Sequence, residues 1–251
     1  MINKNLLSIV IPARNEGQNI LATIIGLSHA LTREALSYEI LIVDDGSSDE
    51  TRTIVTTARS ATDPNVRLVS NIGPNGFGRA VRLGLTQANG EYVVICMADA
   101  SDSPDDVIRY YQVLLSGVDC VFGSRFIKGS SVSDYPLFKL VINRIVNRII
   151  SLLFRMSYND TTNAFKAYNM RVIRGCEPLI SPHFNLTIEL PLKAIIRGYS
   201  YAVIPISWTN RRHGVSSLKL QEMGSRYLFS LMVCYLEYLL TGKDYRRVEK
   251  A

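Results

Sequence analysis

The sequence predicts an α/β fold, a mostly parallel sheet flanked by helices, on three observations. Short runs rich in aliphatic and β-branched residues alternate with stretches of helical periodicity through the first half of the chain, the pattern of βαβ units. Those runs, such as Ile40, Leu41, Ile42 and Val43, lack polar–apolar alternation, which suits strands buried on both faces. Two of them end in acids, Asp44 and Asp45 after the first, Asp99 and Asp102 after the second. In an open α/β sheet, ligands bind beyond the carboxyl ends of the strands.

The elements follow in order. Leu7, Ser8, Ile9, Val10, Ile11 and Pro12 form a first strand. Residues 16–30 are helical, with Ile20, Ile24 and Leu27 on one face. A second strand covers 38–43. Ser48, Asp49 and Glu50 then open a helix to about residue 61, with Ser or Asp as cap and acids in the first turn. Residues 66–69 are a third strand, and Asn75, Gly76, Phe77 and Gly78 lead into a helix across 80–88. A fourth strand spans 91–97. Pro104 starts a helix to about 115, a favoured place for proline, and 118–123 is a fifth strand.

The back half changes character. Across residues 137–154, polar side chains recur every fourth position at Lys139, Asn143, Asn147 and Ser151, continued by Arg155, with Arg144 and Arg148 beside them. One polar, basic face on an apolar helix reads either as a core helix packed on two sides or as an interfacial helix at a membrane surface. Residues 227–240 are apolar apart from Ser230 and Glu237. As a helix this stretch spans about 21 Å, short of the roughly 30 Å bilayer core. With Arg226 before it and Lys243, Arg246 and Arg247 after it, it is expected to dock on a membrane or pack, not cross one. Two units are expected: 1–216 as the main α/β domain and 217–251 as a membrane-docking or packing helix with a basic tail.

Composition narrows the function classes. The chain of 251 residues is 47% apolar, enough for a sizeable core. The N-terminus carries no signal-peptide pattern. Four widely spaced cysteines match neither a zinc site nor a disulfide framework, so buried thiols in a reducing compartment are expected. Residues 1–134 hold 11 Lys and Arg against 15 Asp and Glu, whereas residues 135–251 hold 17 against 7. The basic back half should meet something anionic. Nucleic acid is the weakest partner, because the basic region lacks interleaved aromatic residues for base stacking.

Several short motifs carry chemistry. Pro12 stops the first strand, so Ala13, Arg14, Asn15 and Glu16 face the ligand edge. Adjacent Asp44 and Asp45 repel unless a ligand, a cation or hydrogen bonds offset the repulsion; one carboxylate suits a ribose hydroxyl or a base N–H. Asn75, Gly76, Phe77, Gly78, Arg79 and Ala80 follow the third strand and lack the glycine spacing of a dinucleotide fingerprint. Glycines there let backbone approach a ligand at a helix N-terminus. Asp99 and Asp102 present hard carboxylate oxygens suited to Mg²⁺ or Mn²⁺, with a nucleoside diphosphate completing the ligand set. Asp102 reads equally as a cap of the helix at Pro104.

In order, Pro12-Ala13-Arg14-Asn15-Glu16, Asp44-Asp45-Gly46-Ser47, Asn75-Gly76-Phe77-Gly78-Arg79-Ala80, Ala98-Asp99-Ala100-Ser101-Asp102 and Gly123-Ser124-Arg125-Phe126 resemble family 2 glycosyltransferases, within these most of all dolichyl- and polyprenyl-phosphate mannosyltransferases. The stretches Asp160-Thr161-Thr162-Asn163-Ala164-Phe165-Lys166 and Arg211-Arg212-His213-Gly214-Val215-Ser216 extend the resemblance, which covers about residues 6–220. It implies a GT-A (Rossmann-like) fold that binds a nucleotide-sugar and a divalent cation. By resemblance, Pro12, Ala13, Asn15, Glu16, Asp44 and Asp45 hold the nucleotide, with Gly76 and Ala98 beside it, and Asp99 holds the metal and diphosphate. Arg125, Lys139, Asn143 and Arg144 approach a lipid phosphate, and Arg211 and Ser216 close over the diphosphate. Two features depart from the family pattern. Met97 stands where the first Asp of Asp-x-Asp is usual and Ser101 where Gln is usual, with Asp102 a candidate replacement ligand. The transmembrane helices that many relatives carry at the C-terminus find no counterpart in the sequence.

The expected reaction is inverting transfer of a sugar from a nucleoside diphosphate to polyprenyl or dolichyl phosphate, by a cytoplasmic protein held peripherally at the inner face of the membrane. A saccharide or glycolipid hydroxyl is the alternative acceptor. That chemistry needs a general base, for which Asp160 and Glu189 are the candidates. A non-catalytic polyanion- or membrane-binding module is the remaining alternative.

Overall fold

The structure, a computed structural model, describes residues 2–210, 220–241 and 244. Its strands are β1 (Asn3–Ala13), β2 (Tyr38–Asp44), β3 (Val66–Ser70), β4 (Gly90–Ile95), β5 (Cys120–Ser124), β6 (Ser131–Ser133), β7 (Lys166–Asn169), β8 (Tyr201–Pro205) and β9 (Ser207–Thr209). The helices are α1 (Ile20–Arg33), α2 (Thr51–Ala61), α3 (Phe77–Gln87), α4 (Pro104–Leu115), α5 (Leu137–Leu153), α6 (Met170–Gly175), α7 (Leu186–Ile196) and α8 (Leu220–Leu236), the last closing in a π-helical turn, Glu237–Thr241.

Seven strands make one sheet in the order β3-β2-β1-β4-β7-β5-β8, parallel except for β7, which runs antiparallel to β4 and β5. The expected α/β class is therefore the observed one. Side chains of β1 alternate between two buried layers. Leu7, Ile9 and Ile11 pack with Ile24, Val55, Val107 and Tyr110, while Val10 packs with Val43, Val81 and Leu85. Burial on both faces explains why the strands read as unbroken apolar runs.

Two helices start later than the periodicity suggests, for the same reason. The chain after β1 turns through Asn15 at φ 55, and the N–H groups of Glu16 and Gly17 donate to Thr51 Oγ1 (2.9 Å) and Asp49 Oδ2 (3.0 Å). That stitch delays α1 to Ile20. It also sets Asp49 ahead of α2, where its Oδ1 accepts the Thr51 N–H (3.0 Å). Burial pushes the Asp49 carboxyl up, but the hydrogen bonds from Thr51 and Gly17 outweigh it and hold the group below its usual range.

The structure also decides between the two faces of α5, which the sequence left unassigned. The middle of its polar stripe turns inward, while Lys139 and Arg155 at its ends are exposed. Asn143 and Asn147 both donate to Thr162 Oγ1 (2.8 and 3.0 Å), Asn147 Oδ1 accepts the Thr162 N–H (3.2 Å), and Ser151 donates to the Tyr158 carbonyl (2.7 Å). The face turned to solvent is apolar: Leu137, Phe138, Val141, Ile145, Ile149 and Leu152 are all exposed, with Arg144, Arg148 and Arg155 beside them. A third, small core joins α5, α7 and α8 through Ile150, Phe154, Ile188, Leu192 and Cys234. The outer face of α8 is likewise apolar, exposing Leu228, Phe229, Met232, Leu236, Leu239 and Leu240. Among the described residues no helix is long and apolar enough to cross a membrane. All four cysteines are free and buried.

Candidate active site

The crevice lies where strand order reverses. From β1 the chain builds β2 and β3 to one side and β4 to the other, and this switch point is where α/β sheets bind ligands. Thr23 of α1, the helix after β1, holds the loop after β4 through its hydroxyl, which donates to the Ala98 carbonyl (2.8 Å). Pro12 and Ala13 end β1, and Asn15 Oδ1 accepts the Ser48 N–H (2.8 Å) while its own N–H donates to Ser47 Oγ (3.0 Å). Glu16 bonds Asn19 Nδ2 (2.9 Å). The loops after β1 and β2 thus form one fastened wall.

Asp44 and Asp45 do sit side by side at the end of β2, both buried. Their repulsion is offset within the protein. Asp44 accepts the Ser47 N–H (3.1 Å) and faces Arg52 at 3.6 Å. Asp45 accepts Asn71 Nδ2 (2.6 Å) on one oxygen and the Gly76 N–H (2.7 Å) on the other. Asp45 therefore pulls the loop before α3 against the β2 tip. Glycine is required at Gly76 and Gly78, because a Cβ at either would stand 2.3 Å from a carbonyl oxygen, that of Pro182 or Ser181. The loop leading to α7 thereby packs directly on the start of α3, where Phe77 and Phe184 stack at 4.2 Å.

The second acidic tip is a tight loop. Ala100 takes φ 56, and Asp99 Oδ1 accepts the Ser101 N–H (3.2 Å). Asp102 is not a helix cap. The N-cap of α4 is Ser103, and Asp102 Oδ2 reaches back to the Met97 N–H (2.9 Å), closing a ring over Asp99. Burial, offset in part by that hydrogen bond and reinforced by Asp99, raises the Asp102 carboxyl to about 7. Two buried carboxylates that repel one another in one loop are hard-oxygen donors whose repulsion a divalent cation would relieve. Asp99 and Asp102 are the hard-oxygen donors this loop could offer a cation that also holds a diphosphate, and among the described residues no group of three His, Cys, Asp or Glu converges as a self-sufficient metal site.

Beyond β5 stands a buried ion pair. Because β7 runs antiparallel, the loop that precedes it returns to the same edge as the end of β5. Asp160 accepts from Arg125 Nε and Nη2 (both 2.8 Å) and from the Arg125 N–H (3.0 Å). The Asp160 side chain is fully buried, and that of Arg125 is 9% exposed. Burial alone would lower the Arg125 guanidinium, but Asp160 more than reverses this. Asp160 thus lies against Arg125, engaged on both oxygens, not facing the edge as a lone base. Glu189 is buried too, not a surface acid: it accepts the N–H groups of Ile180 (2.8 Å) and Ser181 (2.7 Å) and pairs with Lys193 at 2.9 Å. Burial raises its carboxyl, yet these bonds bring it below the usual range.

Of the acceptor-side residues, Asn143 bonds Thr162, Lys139 and Arg144 are exposed, and Arg211 and Ser216 lie outside the described residues. Two contributors, Tyr135 and Trp208, escape sequence reading, and a third, Lys166, stands in a sequence motif without an assigned role. Tyr135 and Trp208 join Phe126 around the Arg125 guanidinium, at 5.3–5.7 Å from the ring centres. Lys166 is fully buried and donates to the carbonyls of Thr161 (3.0 Å), Asn163 and Thr187 (3.2 Å). Burial pulls its amine down to about 7 against the opposing pull of Asp160. The one signal for the first pair is that Trp208 is the sole tryptophan of the chain.

The fold is that of sugar-transferring enzymes of the GT-A type, and the chain belongs to glycosyl transferase family 2, whose pattern matches residues 8–177. It is 29% identical over 215 residues to polyprenol monophosphomannose synthase of Mycolicibacterium smegmatis, covering 84% of this chain and 80% of that protein. It is 28% identical over 232 residues to dolichol-phosphate mannosyltransferase of Pyrococcus furiosus, covering 90% of this chain but 63% of the relative's length. Among solved structures, glucosyl-3-phosphoglycerate synthase of Mycobacterium tuberculosis with Mn²⁺, UDP-glucose and phosphoglyceric acid superposes at TM-score 0.72 and 18% identity, over 92% of this chain and 80% of that one. At that identity the likeness concerns the fold.

Proposed function

We propose that this glycosyltransferase moves a sugar from a nucleoside diphosphate to a polyprenyl or dolichyl phosphate at a membrane surface. The observation that carries the reading is α5. Its polar face is locked onto the 158–162 loop beside Arg125, and its apolar row points outward with Lys139, Arg144 and Arg148 along it. An apolar face bordered by cations suits the headgroup boundary of anionic lipid and would bring a lipid phosphate to the site edge. The names of the two mannosyl-transferring relatives agree with such an acceptor.

The wall formed by Pro12, Ala13, Asn15, Glu16, Asp44 and Asp45 holds the nucleoside, with Gly76 and Ala98 at its margins. Asp99, with Asp102, would hold Mg²⁺ or Mn²⁺, which when bound would supply charge neutralisation on the leaving diphosphate. The lipid phosphate is already anionic, so an oxygen of it attacks the anomeric carbon as the bond to the diphosphate breaks, with inversion. Such an acceptor needs positioning more than deprotonation. The engagement of Asp160 and Glu189 favours it over a sugar hydroxyl, which demands a free base. Arg125 acts through the loop it pins, and Arg144 and Lys139 meet the phosphate. Residues 1–216 would be the catalytic unit and 217–251 the docking helix and tail.

The test is a donor screen with UDP-, GDP- and dTDP-sugars, Mg²⁺ or Mn²⁺, and a prenyl phosphate acceptor. Sugar should appear on the prenyl phosphate with one donor. No transfer from any donor to the lipid, alongside transfer to a saccharide hydroxyl, refutes the reading.

A further inference from the structure

Between the second acidic tip and α5 lies an aromatic cluster that the nucleotide and phosphate contacts leave unused. Tyr135 and Trp208 pack at 5.1 Å between ring centres with a 47° tilt, and Phe126 meets Tyr135 edge-on at 6.4 Å. All three are half-buried. Arg125, fixed by Asp160, supports them from within by cation–π contact, and Arg144 of α5 lies over the Phe126 ring at 4.6 Å.

The cluster is built into both sides of the site. Trp208 pairs with Asp102 in an antiparallel bridge, and the Thr209 N–H donates to the Ser101 carbonyl (3.1 Å), so β9 is stitched to the loop holding Asp99. Residues 131–133, just before Tyr135, pair with 207–209, and α5 begins two residues after Tyr135. From Tyr135 the surface runs on into exposed Leu137 and Phe138. The route from the outer apolar face of α5 to the acidic tip therefore passes over aromatic rings with a cation, Arg144, at their edge.

We propose that Phe126, Tyr135 and Trp208 form a platform that grips the prenyl units next to the acceptor phosphate, with Arg144 on the phosphate. This rests on the lipid-phosphate reading and adds the residues that choose the acceptor. Flat rings bind unsaturated, branched hydrocarbon through apolar burial without needing polar partners, while an exposed guanidinium recognises the phosphate bidentately.

Trp208, as the sole tryptophan, reports directly on this platform. Titrating the full chain with farnesyl phosphate should shift its emission, and inorganic phosphate should not. Tyr135→Ala and Trp208→Ala should each raise the KM for farnesyl phosphate about tenfold, the scale of one lost aromatic contact, with the donor KM within twofold. Trp208→Phe should restore the acceptor KM, which a loss of folding would not allow. Farnesyl phosphate bound, by equilibrium dialysis, without any emission change overturns the platform and leaves the lipid-phosphate reading standing. A raised donor KM with unchanged acceptor KM also overturns it, assigning the rings to the sugar. No transfer to any prenyl phosphate by the unaltered protein removes both.

Discussion

Replacing Asp160 by Ala strands the Arg125 guanidinium in a site where its side chain is 9% exposed. The substitution removes three charge-assisted hydrogen bonds at 2.8–3.0 Å and leaves three aromatic rings as the cation's remaining company. Breaking a buried ion pair from one side costs about 3–5 kcal/mol, whereas replacing both partners with apolar residues is often close to neutral. The cation–π contacts are present before and after the change and cancel in the difference, so the expected loss for Asp160→Ala is about 3–5 kcal/mol, a large share of a typical stability of about 5–15 kcal/mol. Arg125→Met should cost a similar amount, because the Asp160 carboxylate then keeps only the backbone N–H of residue 125. The double variant Arg125→Met, Asp160→Leu should lose less than the sum of the single losses by at least about 2 kcal/mol. Urea unfolding followed by circular dichroism measures all three. Single losses below about 1 kcal/mol, or additivity within about 0.5 kcal/mol, would refute the claim that this pair holds the 158–165 loop to the end of β5.

Gly78→Ala should destabilise by roughly 1–3 kcal/mol, as overpacking does, since the new Cβ meets two backbone carbonyls, Ser181 at 2.3 Å and His183 at 2.8 Å; a melting temperature equal to the parent's contradicts this. Lys166 has a native value near 7 against an ordinary 10.5, so between those values the unfolded chain binds the extra proton and the stability of the parent relative to Lys166→Met should climb with pH. Its contribution is fully present above 10.5 and lost as pH falls through 7, and a flat difference in urea midpoints across that window rejects the assignment. Ile145→Gln with Ile149→Gln, both on the exposed row of α5, should cut sedimentation with anionic vesicles at low salt severalfold while the melting temperature stays put; unchanged sedimentation removes α5 from the docking face. Asp99→Ala should abolish nucleotide-dependent Mn²⁺ binding measured by calorimetry, and retention of binding would reassign the metal ligand.

The α/β class, the succession of the first five strands along the chain and both acidic tips were legible in the sequence, because each rests on local information. Strand and helix periods, a proline at a strand end and acids directly after an apolar run are set by a few neighbouring residues. What those acids do was not legible. Asp45 closes onto Asn71 and Gly76, 26 and 31 residues away, and Asp102 turns back to Met97 instead of capping α4. A carboxylate next in sequence to a ligand edge looks the same whether it faces a ligand or a distant N–H group.

The period of α5 revealed two unlike faces but not which one faces inward. The antiparallel insertion of β7 decided that, by returning Tyr158, Asp160 and Thr162 to the edge where Asn143, Asn147 and Ser151 could bond them. The same long-range pairing brings Arg125 to Asp160, 35 residues on, and Trp208 to Asp102. Sequence alone thus determined which elements form and which chemistry gathers at their tips. Tertiary structure decided which polar groups satisfy one another and which apolar face stays exposed, since buried hydrogen-bonding groups must find partners wherever the topology places them.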